Sequence, residues 1–394
     1  MRRALLLALV LLAAGASAAS AAPAWRLDVQ ANTTAAPGGA LTYVVQIANV
    51  GDAAADPASH PLTFTVTLPQ GLTLLGGLVR PPNPLEPVNG GWDCAGLVVG
   101  AQSLTCENHT PQSAFAAADF MTLTLDVAVA GDATGVVTSA FSLAGGDASA
   151  PSASTVEPTT VTSELPSFGA DAFDGTVLDA AGEPYRQAGG HPFAATVSLD
   201  FNTLTNPAPL KGRLWPVEPV KDVLVDLPPG LVGDPTAAET CTADELAAGG
   251  LLARTECPPS SQVGVALVRL NGLNARSVWG PLPVFNMVPP PDVPARFGFN
   301  ISGTVITLDG ALRSDGDYGL SVHVRDVPQG LAIAGTTLTF WGVPADPVHD
   351  RERACPGQTA PWQPGGRSCQ SGGARKAFLR NPTSCTPEDV GLPV

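Results

Sequence analysis

Seven cysteines and five histidines are the residues of this chain best suited to chemistry, and their spacing limits what they can do. Zinc sites use close pairs such as C-x-x-C with histidines in step. Here no C-x-x-C occurs and the histidines are scattered. The cysteines fall instead into near pairs that suit local disulfides: Cys94 with Cys106, Cys241 with Cys257, and Cys355 with Cys369 or Cys385. Cys355 and Cys385 are the candidate last pair, Cys369 is the alternative partner, and one cysteine is left over. Hydrolase and phosphate-loop signatures (G-x-S-x-G, H-E-x-x-H, S-x-x-K, G-x-x-x-x-G-K-[ST]) do not occur.

The remaining chemically able residues have structural readings beside functional ones. His323 alternates with Val322 and Val324, so the pattern predicts a solvent-facing strand histidine rather than a base. His349-Asp350-Arg351-Glu352-Arg353 is the densest charged segment, and a solvated loop with weak ion pairs is expected there. Asp315-Gly316-Asp317 raises calcium, because extracellular proteins bind it through oxygen-rich loops. Asp-Gly between strands is equally a hairpin signal, and a turn without any cofactor is the expectation. Trp215, Trp279, Trp341 and Trp362 stand in or near Pro- and Gly-rich segments, where loops could offer them to sugars; core packing is their commoner use.

The elements that would position these residues read as strands. With 42 Gly and 39 Pro the chain is rich in turns and poor in helix. Leu41–Ile47, Thr63–Leu68, Met121–Val129 and Val136–Leu143 are strand-like runs broken by turn residues, which predicts a β-sandwich. Trp92, two residues before Cys94, is placed to pack on a disulfide. Further on, Thr196–Asp200, Val220–Leu227, Val263–Leu270, Phe297–Leu308, Gly319–Val327 and Thr336–Trp341 supply more strands. One helical turn is expected after Thr242, whose spacing to Glu245 is that of a capping box, with Gly249-Gly250 to end it. The strand ending V/L-P-x-G-L occurs at Leu68, Leu227 and Val327, either as the mark of three similar units or as a shared strand terminator.

Arg2 and Arg3, the apolar run Ala4–Ala14 and the small residues that follow match an export signal with an A-x-A cleavage site. No other stretch is long and apolar enough to cross a bilayer as a helix. The intact chain carries a formal charge of −15; without Arg2 and Arg3, 18 basic side chains stand against 35 acidic ones, a formal −17. That balance argues against nucleic acid and against polybasic contact with lipid surfaces. In an exported chain the cysteines then read as structural bonds.

Two resemblances refine this. Ala36-Pro-Gly-Gly-Ala-Leu-Thr-Tyr43, Asn49 with Gly51, Thr67-Leu-Pro-Gln-Gly-Leu72, Gly91-Trp-Asp-Cys94 and Thr105-Cys106 follow one order. Over residues 25–155 they resemble the conserved-repeat Ig-like domain of bacterial surface proteins, a domain of unknown function. The resemblance implies an extracellular or cell-wall setting and carries no catalytic residues. The second half, including Asp222–Val232, Pro283–Met287, Trp341–Asp346 and Asn381-Pro-Thr-Ser-Cys385, is similar to large secreted repeat proteins of soil actinobacteria whose function is undefined. Such chains continue well past an N-P-T-S-C motif, whereas Val394 follows Cys385 by nine residues; the departure points to truncation and a missing partner for the odd cysteine.

The expected protein is all-β, with tandem Ig-like or Greek-key sandwiches, local disulfides and one short helix. Its expected parts are a signal peptide (1–21), an Ig-like sandwich (22–150), a Ser/Thr/Pro-rich linker (151–168) with room for a last edge strand, a second β-rich region of one or two sandwich-like units (169–345) and a Cys-containing, loop-rich C-terminal segment (346–394). The expected function is that of a non-catalytic, secreted or cell-surface structural or adhesive protein. Its partners would be cell-wall or surface polymers or other proteins. The alternative is a secreted carbohydrate-binding or carbohydrate-active protein.

Overall fold

The structure, a computed structural model, describes residues 22–80, 92–95, 98–108, 119–148, 150–205, 214–248, 254–270, 278–301, 303–314, 316–361 and 366–383. The expected signal peptide, Asp315, Trp362 and Cys385 lie outside these residues.

The N-terminal body contains β1 (Trp25–Ala31), β2 (Thr34–Ala35), β3 (Ala40–Asn49), β4 (Leu62–Thr67), β5 (Leu72–Arg80), β6 (Trp92–Ala95), β7 (Ser103–Asn108), β8 (Phe120–Val129), β9 (Gly135–Ala144) and β10 (Ala153–Val161). They form two sheets, ordered β1-β3-β8-β5 and β2-β10-β9-β4-β7-β6. Between the sheets lies one core that includes Tyr43, Phe64, Leu123, Leu125 and Phe141. All ladders are antiparallel except the short β2–β10 pairing, an Ig-like sandwich in which non-consecutive strands are neighbours. The period-two burial of β4 and of β8 from Leu125 onward follows from one face meeting this core.

The second body contains β11 (Ala170–Leu178), β12 (Ala194–Phe201), β13 (Thr203–Thr205), β14 (Leu214–Pro216), β15 (Val223–Asp226), β16 (Val232–Gly233), β17 (Gln262–Leu270), β18 (Val278–Met287), β19 (Ala295–Ile301), β20 (Thr304–Leu312), β21 (Leu320–Val324), β22 (Ile333–Trp341) and β23 (Leu379–Arg380). It also holds the helical turn α1 (Ala243–Ala247). Nine strands make one sheet, β11-β12-β22-β17-β18-β19-β20-β21-β15.

Several expectations change here. The segment read as a linker with room for a last edge strand holds such a strand: β10 pairs with β9 along its whole length, from Ala153 to Val161. Its Pro158 is tolerated because β2 pairs only with Thr160 and Val161, so the missing N–H has no ladder to break. In place of the expected one or two sandwich-like units, nine of the described strands of the second region join one large sheet, with the two-stranded ladders β13–β14 and β16–β23 beside it. The V/L-P-x-G-L motif is a strand terminator: in each copy the Leu N–H donates to the Pro carbonyl, at 3.2, 3.1 and 2.9 Å. Its second and third copies follow β15 and β21, paired neighbours in one sheet, so the motif does not mark three units. Phe297–Leu308 divides into β19 and β20, which pair as a hairpin around Gly303 at φ +88°.

Local chemistry behind the other motifs is direct. The Asn49 carboxamide accepts from the backbone N–H of Ala24 and of Gly51, both at 3.1 Å, and donates to Ala53 O at 2.8 Å. Gly51 has no room for a side chain against the backbone of Ala22–Ala24. This pair ties the end of β3 to the start of β1. The capping box at α1 is complete, with Glu245 N–H donating to Thr242 Oγ1 at 3.2 Å and Thr242 N–H to the Glu245 carboxylate at 2.8 Å. Replacing Asn49 with Ala strands two backbone donors and one acceptor, so the variant is expected to lose about 3 kcal/mol of stability in urea titration. An unchanged midpoint would show that this carboxamide does not anchor the strand.

Candidate functional site

The disulfides come first, because they fix the loops. Cys94 and Cys106 are directly opposed on β6 and β7 and are bonded. Trp92 is buried in the same cluster. Cys241 and Cys257 are bonded across the excursion that carries α1. The third bond joins Cys355 to Cys369, not to Cys385. An isolated bridge pairs Ala354 with Ser368, and Cys369 N–H donates to Arg353 O at 3.1 Å, so the backbone sets the two thiols side by side.

The segment His349–Arg353 is not the solvated loop expected from its charge. It lies in a 3-10 turn, Pro347–Glu352, in which His349 is buried, and Arg353 just beyond it is fully buried. The His349 ring stacks on Trp341 at 4.4 Å between centroids, and the Arg353 guanidinium lies 5.2 Å from the same ring. Arg353 also donates to Asp350 Oδ1 at 3.0 Å, Pro259 O at 3.1 Å and Pro344 O at 2.7 Å. Burial, with the Arg353 charge beside it, pushes His349 down to about 3, so the ring is neutral. Trp341, half of this clamp, is thereby withheld from solvent.

Other candidates fall apart in space. His323 stands on β21 with its Nδ1 2.8 Å from the Arg325 guanidinium. Asp317 is held by Arg313 at 2.5 Å and accepts from Gly319 N–H at 2.8 Å, which is turn chemistry. Among the described residues no group of three or more His, Cys, Asp or Glu side chains could hold a metal ion. Trp279 is half-buried, and Trp215 is 39% exposed.

Two features escaped the residue-by-residue reading. The first is the contact between the bodies. Val44 and Ala48 of β3 and Phe120 of β8 pack on Leu214, Leu267, Val278 and Ala334 of the second body. Around them Gln30 Nε2 donates to Ala334 O at 2.8 Å, Thr203 N–H to Thr33 Oγ1 at 2.9 Å, and Thr33 N–H to Thr203 O at 3.2 Å. Beside this contact Arg269 of β17 pairs with Asp200 of β12 across β22, which carries Gly335 at the crossing point. A Cβ on Gly335 would collide with both side chains. Glu157 of β10 accepts from Ala31 N–H at 3.1 Å, and burial, with Asp171 and Asp200 adding repulsion, raises it to about 8.

The second is the concave face of the nine-stranded sheet. Phe173, Leu199, Val225, Phe299, Val322 and Leu338, from six different strands, line one cavity of about 380 Å³. The sheet therefore curls until its two end strands, β11 and β15, border the same space.

No family model matches the chain, and no curated protein matches it. The collagen-binding subdomain of the Enterococcus faecalis surface protein ACE is 7% identical, with 34% of this chain and 94% of that chain covered at a TM-score of 0.24. The major pilin subunit BcpA of Bacillus cereus is 14% identical, with 48% and 62% covered at 0.27. AvmM, which catalyses macrocyclization in alchivemycin A biosynthesis, is 12% identical, with 36% and 90% covered at 0.22. Such low identities and TM-scores add nothing to the topology described above and do not sort binding from catalysis. The two-sheet topology of the N-terminal body agrees with the Ig-like sandwich that the conserved-repeat resemblance implies.

A raised carboxyl pKa means that the folded state holds a proton the unfolded state has released. Stability then falls as pH rises from about 4.5 towards 8. His349 opposes this only below its ordinary 6.5. Between pH 6.5 and 8.5 Glu157→Gln is expected to be increasingly more stable than wild type, reaching a gain on the order of 1 kcal/mol. Melting curves over that window check it; a gap that narrows as pH rises would contradict the burial of Glu157.

Proposed function

We propose that this chain is an exported, non-catalytic structural or adhesive protein of a cell surface. In this reading the Ig-like sandwich is a stem that presents the second body in one fixed orientation. The observation that carries it is the contact between the bodies, where buried apolar side chains are flanked by hydrogen bonds from the Gln30 side chain to Ala334 O and between Thr33 and Thr203. Domains joined by small polar contacts move by default, whereas an apolar, hydrogen-bonded contact resists hinging. Three local disulfides support an oxidising setting, and the acidic charge supports solubility outside a cell. The proposed partners are cell-wall or surface polymers or other proteins, and no cofactor is invoked. The carbohydrate reading has less to stand on, since Trp341 is buried and Trp279 half-buried.

The test uses the oxidised chain from residue 22 on arrays of cell-wall polymers, matrix proteins and glycans. Specific binding that disappears on reduction is the expected outcome. A blank array with folded protein would remove the adhesive part of the proposal. Export is tested separately by fusing residues 1–21 to a reporter that is active only outside the cytoplasm; an inactive fusion would remove that part.

A further inference from the structure

The concave face of the second body is unusual in being apolar and incompletely filled. In β12 and β19 the inward positions recur with period two: Val197, Leu199 and Phe201 of the one and Phe297, Phe299 and Ile301 of the other. The alternate positions Ser198, Asp200, Arg296 and Asn300 carry the polar groups to the other face. Packed against another layer, inward Phe and Leu side chains of this kind would be fully buried. Here Phe173, Phe297, Val322, Val324, Leu338 and Phe340 remain only partly buried although they pack on the core. The space they border measures about 380 Å³. That is about two and a half times the ~150 Å³ apolar cavity that stays dry and takes up benzene.

The chemistry of the lining selects the occupant. Among the described lining residues only Ser321 and Thr336 have polar side chains, and none is ionisable. Ser321 Oγ is already committed to Asp226 Oδ1 at 2.6 Å. Water needs two to four polar partners to settle in a cavity, and this one does not offer them. A charged ligand would meet no counter-ion in the lining. The nearby guanidinium of Arg296 is held by both oxygens of Asp309, at 2.6 and 2.8 Å, and that of Arg313 by Asp317. An empty apolar cavity forfeits dispersion contacts in proportion to its volume, whereas an apolar guest restores them. Among the described residues β11 has a ladder with β12 alone and β15 with β21 alone, so both end strands border the cavity without a ladder between them, which leaves room for a way in.

We propose that the curled sheet is a binding site for one uncharged, apolar small molecule, of a bulk equal to two or three benzene rings. Aromatic or short isoprenoid and acyl groups without a charged head fit that description. The site goes beyond the adhesive role and does not depend on it.

The probe is N-phenyl-1-naphthylamine, an uncharged apolar dye, titrated into the oxidised chain from residue 22. Saturable one-to-one binding is expected, with a rise in melting temperature in the presence of dye. Val322→Phe and Val197→Phe place a ring into the cavity from two different strands. Each is expected to weaken dye binding at least tenfold while keeping or raising the melting temperature of the free protein. An alcohol of about ten carbons should displace the dye at least tenfold more effectively than the carboxylate of the same length. Absence of saturable binding to protein with native circular dichroism would overturn the proposal. So would full-strength binding in both filled variants, since the dye would then sit elsewhere. Preference for the carboxylate would overturn the uncharged class. None of these results bears on the polymer arrays, so the two readings fail separately.

Discussion

The structure depends on two strands that are buried on both faces. In β3 every residue from Leu41 to Asn49 is buried, and in β17 every residue from Gln262 to Leu270 is buried. A strand that covers one core shows alternating burial; one that is buried on both sides must lie between two layers. For β3 the inward set Tyr43, Val45 and Ile47 meets the sandwich core, and the outward set Val44 and Ala48 meets the second body. For β17, Ala266 and Val268 meet the concave core while Leu267 meets the sandwich. The two sheets are thus each other's missing layer. This contact fixes the orientation of the bodies and leaves the concave face of the curled sheet as an apolar surface still open.

Charge is handled according to the same geometry. Arg269 and Asp200 sit beside the contact and reach each other because Gly335 leaves the intervening strand bare. A buried pair of this kind adds orientation more dependably than stability. Arg353 is buried too, but its guanidinium has two carbonyls, a carboxylate and the Trp341 ring, so its charge is compensated from four directions. Through that clamp the Cys355–Cys369 loop is laid on the body. Phe378 then packs on Phe297 and Phe340 at ring distances of 5.7 and 5.9 Å, at the rim of the cavity.

What was legible in the amino-acid sequence was local. The alternation of Thr63–Leu68, the Thr242–Glu245 capping box and the near cysteine pairs each depend on residues within about one turn or hairpin. The burial of Trp92 beside Cys94 follows from its neighbour. Non-local facts were out of reach. Whether Cys355 meets Cys369 or Cys385 depends on a bridge between Ala354 and Ser368 that no spacing announces. Ser, Thr and Pro in β10 resemble a linker because the strand is supported by β9 rather than by its own composition. The prolines of β18 hide a strand in the middle of the sheet, where the ladder shifts register opposite Leu267. The charges of His349–Arg353 suggested solvent because their partners, Trp341, Pro259 and Pro344, come from elsewhere in the chain. A cavity formed by curling nine strands has no local signature at all.

The most direct test of the contact between the bodies is differential scanning calorimetry of the oxidised chain from residue 22. If the two sheets complete each other, unfolding is one transition, and its calorimetric and van't Hoff enthalpies agree. Two resolved transitions, each with the enthalpy of a separate body, would contradict the account.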